Sequence, residues 1–153
     1  MRPLLAPLLV VLAGCATRYI PNTDVEDTDA NRRVIELCER YRHAVEARDV
    51  PQLLKLAHPR YHEDGGNADA ADDIDFEGLR AYLEERFKET RAIRYEIRYR
   101  RVSEGRKGLY VDYTYSASYK IPSPQGDLWR RKVADNRLEL AREGEELRIV
   151  SGM

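Results

Sequence analysis

The chain has 153 residues, with 26 Lys and Arg against 27 Asp and Glu, a formal charge of −1. That balance leaves no basic footprint for nucleic acid, and the length suits one domain with a real core rather than two. Charged residues are 35% of the chain, yet the apolar ones recur at regular spacing, which argues for a folded domain with a solvated exterior and against disorder.

Arg2 precedes an apolar run from Leu4 to Leu12 that closes on Leu12-Ala13-Gly14-Cys15. A basic start, a short apolar stretch and small residues before a cut are the marks of an export signal, and the run is too short to span a bilayer. The pattern resembles a lipobox, the end of the signal in bacterial lipoprotein precursors. The resemblance implies that residues 1–14 are removed, that the Cys15 sulfur is diacylated, and that its new amine is usually acylated too. Several acyl chains, at about 0.8 kcal/mol per buried methylene, would hold the protein firmly to a membrane. Ala16 follows the cysteine where many inner-membrane lipoproteins have aspartate, so the resemblance further implies an outer-membrane protein facing the periplasm. Losing Arg2 takes the charge from −1 to −2. Cys38 is then the remaining thiol, no intramolecular disulfide can form, and its place on a stripe with Val34, Tyr41 and Val45 predicts a buried, inert side chain.

Residues 15–27 are expected to be the lipidated cysteine and a flexible tether, reaching roughly 40 Å if extended. Residues 28–153 form the domain. Thr28 or Asp29 caps a first helix to about Arg48, with Val34, Leu37, Cys38, Tyr41, Ala44 and Val45 on one face. Asp49-Val50-Pro51 opens a short second helix that halts before Pro59. A short strand is expected over Arg60–Asp64, then a loop from Gly65 to Asp75, then a third helix to about Arg91. After Ala92 the apolar period becomes two, first in Ile93, Tyr95, Ile97 and Tyr99, then in the odd positions from Leu109 to Ile121. Strands over Trp129–Ala141 and Glu146–Ser151 follow, and consecutive strands suggest antiparallel pairing. Trp129 and Val133 are odd while Leu138 and Leu140 are even, which predicts a bulge near Asp135-Asn136.

This order, with Ala47-Arg48-Asp49-Val50-Pro51 after the first helix and Leu147-Arg148-Ile149-Val150 at the end, resembles the nuclear-transport-factor-2-like superfamily, including its SnoaL-like and ketosteroid-isomerase-like members. The resemblance implies an α+β cone: three N-terminal helices packed on a strongly curved antiparallel sheet. It specifies fold better than function. In such folds a pocket between helices and sheet is either a site or filled by side chains. Expected lining residues are Tyr61, His62, Tyr95, Tyr99, Tyr113, Tyr115, Trp129 and Asn136, with Tyr41 from the first helix; aromatic residues at core spacing also fit plain packing.

By the same resemblance, an isomerase or cyclase would use Asp64 as general base and Tyr41 as hydrogen-bond donor to a developing oxyanion, with Asp135 or Asn136 near the third position. Alternatively Tyr41 is core and Asp64 begins a solvated turn. His58 and His62 flank Pro59, which breaks any helix that would align them, so no metal site is expected. The acidic stretch 64–75 lacks the order of a calcium loop. Arg94, Arg98, Arg100 and Arg101, with Arg130, Arg131 and Lys132, read as a solvated sheet face. The expectation is a lipid-anchored binding domain without catalysis, needing no cofactor, whose partners are the membrane through Cys15 and a small apolar ligand or a protein, a second copy through the sheet included. The small enzyme is the alternative.

Overall fold

Thr28 holds an extended backbone and its hydroxyl accepts from the Asn31 N–H at 3.1 Å, opening helix α1 (Asp29–Ala47). The helix stops at Arg48, whose left-handed φ of 55° turns its N–H back onto the Ala44 and Val45 carbonyls. The Asp49 carboxylate then accepts from the Gln52 N–H at 2.9 Å and starts α2 (Val50–Leu56), with proline in the first turn. A two-residue strand β1 (His62–Glu63) pairs antiparallel with β2 (Ile74–Asp75), and Asp75 caps α3 (Phe76–Lys88). In this computed structural model the described residues are 17–65, 71–106 and 108–153; the expected signal and Cys15 lie outside them, as do residues 66–70 of the expected loop.

Strands β3 (Ala92–Gly105), β4 (Gly108–Ile121), β5 (Leu128–Glu143) and β6 (Glu146–Ser151) form one antiparallel sheet in chain order. The result is the expected α+β arrangement, helices packed on a curved antiparallel sheet. The apolar stripe of α1 contributes Val34, Leu37, Cys38, Tyr41 and Ala44 to a core completed by Leu53, Leu79, Val111, Tyr113, Leu138, Leu140 and Ile149.

The bulge expected near Asp135-Asn136 is absent there. Pairing of β4 with β5 runs unbroken from Leu109 opposite Leu140 to Ile121 opposite Leu128. The register shifts fall instead between Tyr99 and Arg101 and between Glu139 and Leu140. Alternation is intact because Trp129 and Val133 stand on the outer face, 47% and 58% exposed, and never belonged to the core set of Leu138 and Leu140.

The tether expectation also needs correction from Arg18 onward. Ile20-Pro21-Asn22-Thr23 makes a tight turn, the Thr23 N–H donating to the Ile20 carbonyl at 3.1 Å with Asn22 at φ 62°. Proline second and a left-handed Asn third suit such a turn. Tyr19 bridges Glu26 in antiparallel fashion, Val25 is 2% exposed in the core, and the Asp24 N–H donates to the Tyr99 carbonyl at 2.9 Å. Arg98 and Arg100 both bind the Asp24 carboxylate and hold it below the usual carboxylate range. Residues 18–27 are thus a strap along the free edge of β3. Edge strands with unpaired backbone groups invite further pairing, and this strap covers part of that edge.

Cys38 is fully buried, and burial pushes its thiol well above its ordinary value. Cys38→Ala is expected to cost on the order of 1 kcal/mol in urea unfolding, and a thiol reagent should modify the wild-type residue only as the protein unfolds.

Candidate functional site

The sheet face turned toward α1 is set by strand parity. On β3 it presents Tyr95 and Tyr99, on β4 Val111, Tyr113 and Tyr115, and on β5 Asn136, Leu138 and Leu140. Tyr41 descends from α1 onto this wall, its ring edge-on to Tyr95 with centroids 6.3 Å apart. Tyr95 and Tyr115 lie at 5.4 Å, Tyr99 and Tyr113 at 6.4 Å, and Tyr113 and Tyr115 at 6.3 Å. Such tilted and edge-on pairs add about 0.5–1.5 kcal/mol each beyond burial.

Buried phenols must spend their hydroxyls on partners. The Tyr41, Tyr95 and Tyr113 phenols lie side by side, and Asn136 Nδ2 donates to the Tyr113 hydroxyl at 3.0 Å and to the Gly152 carbonyl at 3.1 Å. Tyr99 donates to Glu39 at 2.7 Å. Burial raises all four phenols above the ordinary value. The Tyr99 and Tyr113 hydroxyls are thus engaged with protein groups in the space where the resemblance allowed a pocket.

Of the expected lining residues, Tyr61, Tyr95, Tyr99 and Tyr113 are buried in the core and Tyr115 is half-buried against it. Asn136 points to Tyr113, and its neighbour Asp135 points outward to accept from Thr114 at 2.6 Å. Two residues do not belong to the set. Trp129 lies on the outer face under the Arg94 guanidinium, 4.9 Å from its ring, because it pairs with Lys120 on the solvent parity of β4. His62 is exposed on β1 with its ring 3.6 Å from Asp73.

Tyr41 and Asp64 have opposite environments, the first buried in α1 and the second exposed in the turn after β1. Four surface grooves are lined by described residues, and none of these four has Tyr41, Tyr95 or Asp64 in its wall. One of them, about 680 Å³, lies between the first turns of α1 and the hairpins at one end of the sheet, and its wall mixes Arg33, Arg40 and Arg142 with Glu36, Glu104 and Glu145. His58 is a buried structural group: its N–H donates to Ile149 at 2.8 Å and its Nδ1 accepts from Arg60 at 2.9 Å. Among the described residues no three His, Cys, Asp or Glu side chains gather as a metal ion would require.

The basic row is largely answered on its own surface. Arg101 and Arg137 share Asp112 at 2.8 and 2.6 Å, Arg98 and Arg100 share Asp24, and Arg131 donates to Ser116. Exposed pairs of this kind contribute little individually, but they leave less net charge for an anionic partner. Glu63, one of the acids beside His58 and His62, serves the architecture: its carboxylate accepts from the Gly152 N–H at 2.6 Å and the Ser151 hydroxyl at 3.1 Å, while Tyr61 accepts from the Met153 N–H at 3.3 Å. Those contacts fix the last residues over the end of the core near β1. Nothing local in the sequence marks them, since the partners are 88 or more positions apart.

No family model and no curated protein matches this sequence. Solved structures do match it in shape. A protein from Kribbella flavida is 17% identical, with a TM-score of 0.68 over 82% of this chain and 90% of its own. A proposed dehydratase of the nuclear-transport-factor-2-like family from Streptomyces avermitilis is 14% identical, with a TM-score of 0.60 over 80% and 92%. A protein of that fold and unknown function from Pseudomonas putida is 15% identical, with a TM-score of 0.58 over 82% and 85%. At these identities the likeness shows the fold alone.

The raised phenols link folding to pH. A tyrosine whose folded value is raised stabilises fully below its unfolded value of 10.0, and that contribution is lost as pH climbs toward the folded value. Urea stability is therefore expected to fall from about pH 10 upward, with delayed tyrosinate absorbance at 295 nm marking the buried groups. Tyr113→Phe should cost about 1–2 kcal/mol at neutral pH by removing the hydroxyl that accepts from Asn136, and should flatten the alkaline loss.

Proposed function

We propose that this is a lipid-anchored, periplasm-facing domain of the outer membrane that works by binding a protein through its sheet and performs no catalysis. The observation that carries this reading is the tyrosine wall, buried in the space between α1 and the sheet, with Tyr113 bonded to Asn136 and Tyr99 to Glu39. A small apolar ligand would have to displace Tyr41 or Tyr113, both buried. The outer face of β5 is better suited to a partner, since it exposes Trp129 and Val133 beside Arg94 and Arg131. Exposed aromatic and aliphatic groups next to arginines are the usual composition of binding surfaces. A second copy of the chain is one such partner. The cysteine at the end of the apolar leader supports the anchor, and the fold shared with structural neighbours supports a domain whose activities differ widely between relatives.

The isomerase or cyclase alternative draws on the same fold, which includes a proposed dehydratase among the neighbours. Buried Tyr41 and exposed Asp64 weigh against it, because a general base and its oxyanion donor must face one substrate. Native mass spectrometry of the domain purified from its membrane tests the choice. A retained polypeptide mass that Val133→Lys removes supports the binding reading, and a retained small molecule with no polypeptide counts against it.

Asp64→Asn is expected to shift stability within about 0.5 kcal/mol, as at exposed positions generally. A larger change would place Asp64 in the architecture instead of on the surface. Cys15→Ser should abolish incorporation of a fatty-acid probe, because acylation begins at the thiol. Undiminished incorporation would remove the anchor from this reading.

A further inference from the structure

We infer that the strap of residues 18–27 holds the domain directly against the lipid surface carrying Cys15, with the start of α1 toward the bilayer and the β4–β5 turn away from it. This rests on the lipid-anchored reading above. A free tether through Asp27 would let the domain stand roughly 40 Å away. The strap removes most of that freedom, because the Asp27 N–H donates to the Arg18 carbonyl at 2.7 Å, Val25 is buried, and Asp24 is bound by backbone and by two arginines. Three Cα steps of about 3.8 Å then separate Cys15 from Arg18, so the first docked residue lies within about 11 Å of the acylated one.

The orientation follows from what surrounds that point. Asp27 pairs with Arg18 and Arg32, which places the entry of the strap beside the first turn of α1. Those first turns share a groove with Val102, Ser103 and Glu104 near the β3–β4 hairpin. The opposite end of β4 is 14 residues away, roughly 45 Å along the strand, and leads into the turn containing Gln125. The side chains at the near end suit a headgroup layer. Tyr19 is 54% exposed, the Arg18 side chain is 84% exposed, and amphipathic aromatics beside arginine stems settle at membrane interfaces. Of the acids at this end, Asp24, Asp27 and Asp29 are each paired with an arginine, which lowers their repulsion from lipid phosphates, Glu36, Glu104 and Glu145 share the groove with Arg33, Arg40 and Arg142, and Glu26 is exposed.

The test uses the full lipidated chain in phosphatidylcholine vesicles whose headgroups carry a quencher. A fluorophore is attached to Asp29→Cys, a position 96% exposed, or to Gln125→Cys, while buried Cys38 stays unmodified. Incorporation of a fatty-acid probe is read on the same samples. Quenching at residue 29 several-fold stronger than at residue 125 is expected. An insertion of about ten Gly and Ser residues between Ala16 and Thr17, adding roughly 18 Å of reach, should weaken the quenching at residue 29 without touching the fold. Acylated protein with equal quenching at the two positions, or with no response to the insertion, overturns the inference while leaving the anchor intact. Protein without the probe overturns the anchor and this inference with it.

Discussion

Helix α1 meets the sheet through Tyr41, Tyr95, Tyr99 and Tyr113, and this contact combines apolar rings with hydroxyls that burial forbids to remain unpaired. Two of these hydroxyls are paired within the protein: Asn136 links Tyr113 to the Gly152 carbonyl, and Tyr99 uses Glu39 of α1. An apolar contact alone would allow α1 to slide. Directed hydroxyls do not, because a shift leaves a donor or acceptor unsatisfied at about 1–3 kcal/mol each.

The same helix completes the free edge of β3. Glu46 accepts from the Tyr95 N–H at 2.9 Å and Arg42 donates to the Tyr95 carbonyl at 3.3 Å, so side chains take the place of a further strand. The strap takes over at Tyr99. The opposite edge, β6, is met by the Ala57 and His58 backbone. Both sheet edges are thus partly covered by parts of the same chain, which leaves fewer unpaired backbone groups for edge pairing.

Function in this fold depends on what fills the space between helices and sheet. Here long aromatic side chains on facing elements occupy it, whereas smaller ones would open it. A buried cluster of phenols is a costly place for a charge to form, and burial holds Tyr41 and Tyr99 neutral at neutral pH.

The sequence by itself determined the elements, because each had a local cause: Thr28, Asp49 and Asp75 at helix starts, period 3.6 through α1, and period two through β3 and β4. It also marked Cys38 as buried and Tyr41 as inward-facing, since both share one stripe. Pro21-Asn22 carried the signal of the strap's turn, but a turn alone does not say whether its arms dock. Only the tertiary structure decided that Val25 enters the core, that Trp129 faces outward, that Asn136 rather than Asp135 reaches Tyr113, and that Glu63 grips the last residues. The reason is physical: parity within a strand fixes which residues share a face, but which face is buried depends on the register with neighbours far along the chain and on the helix laid across them.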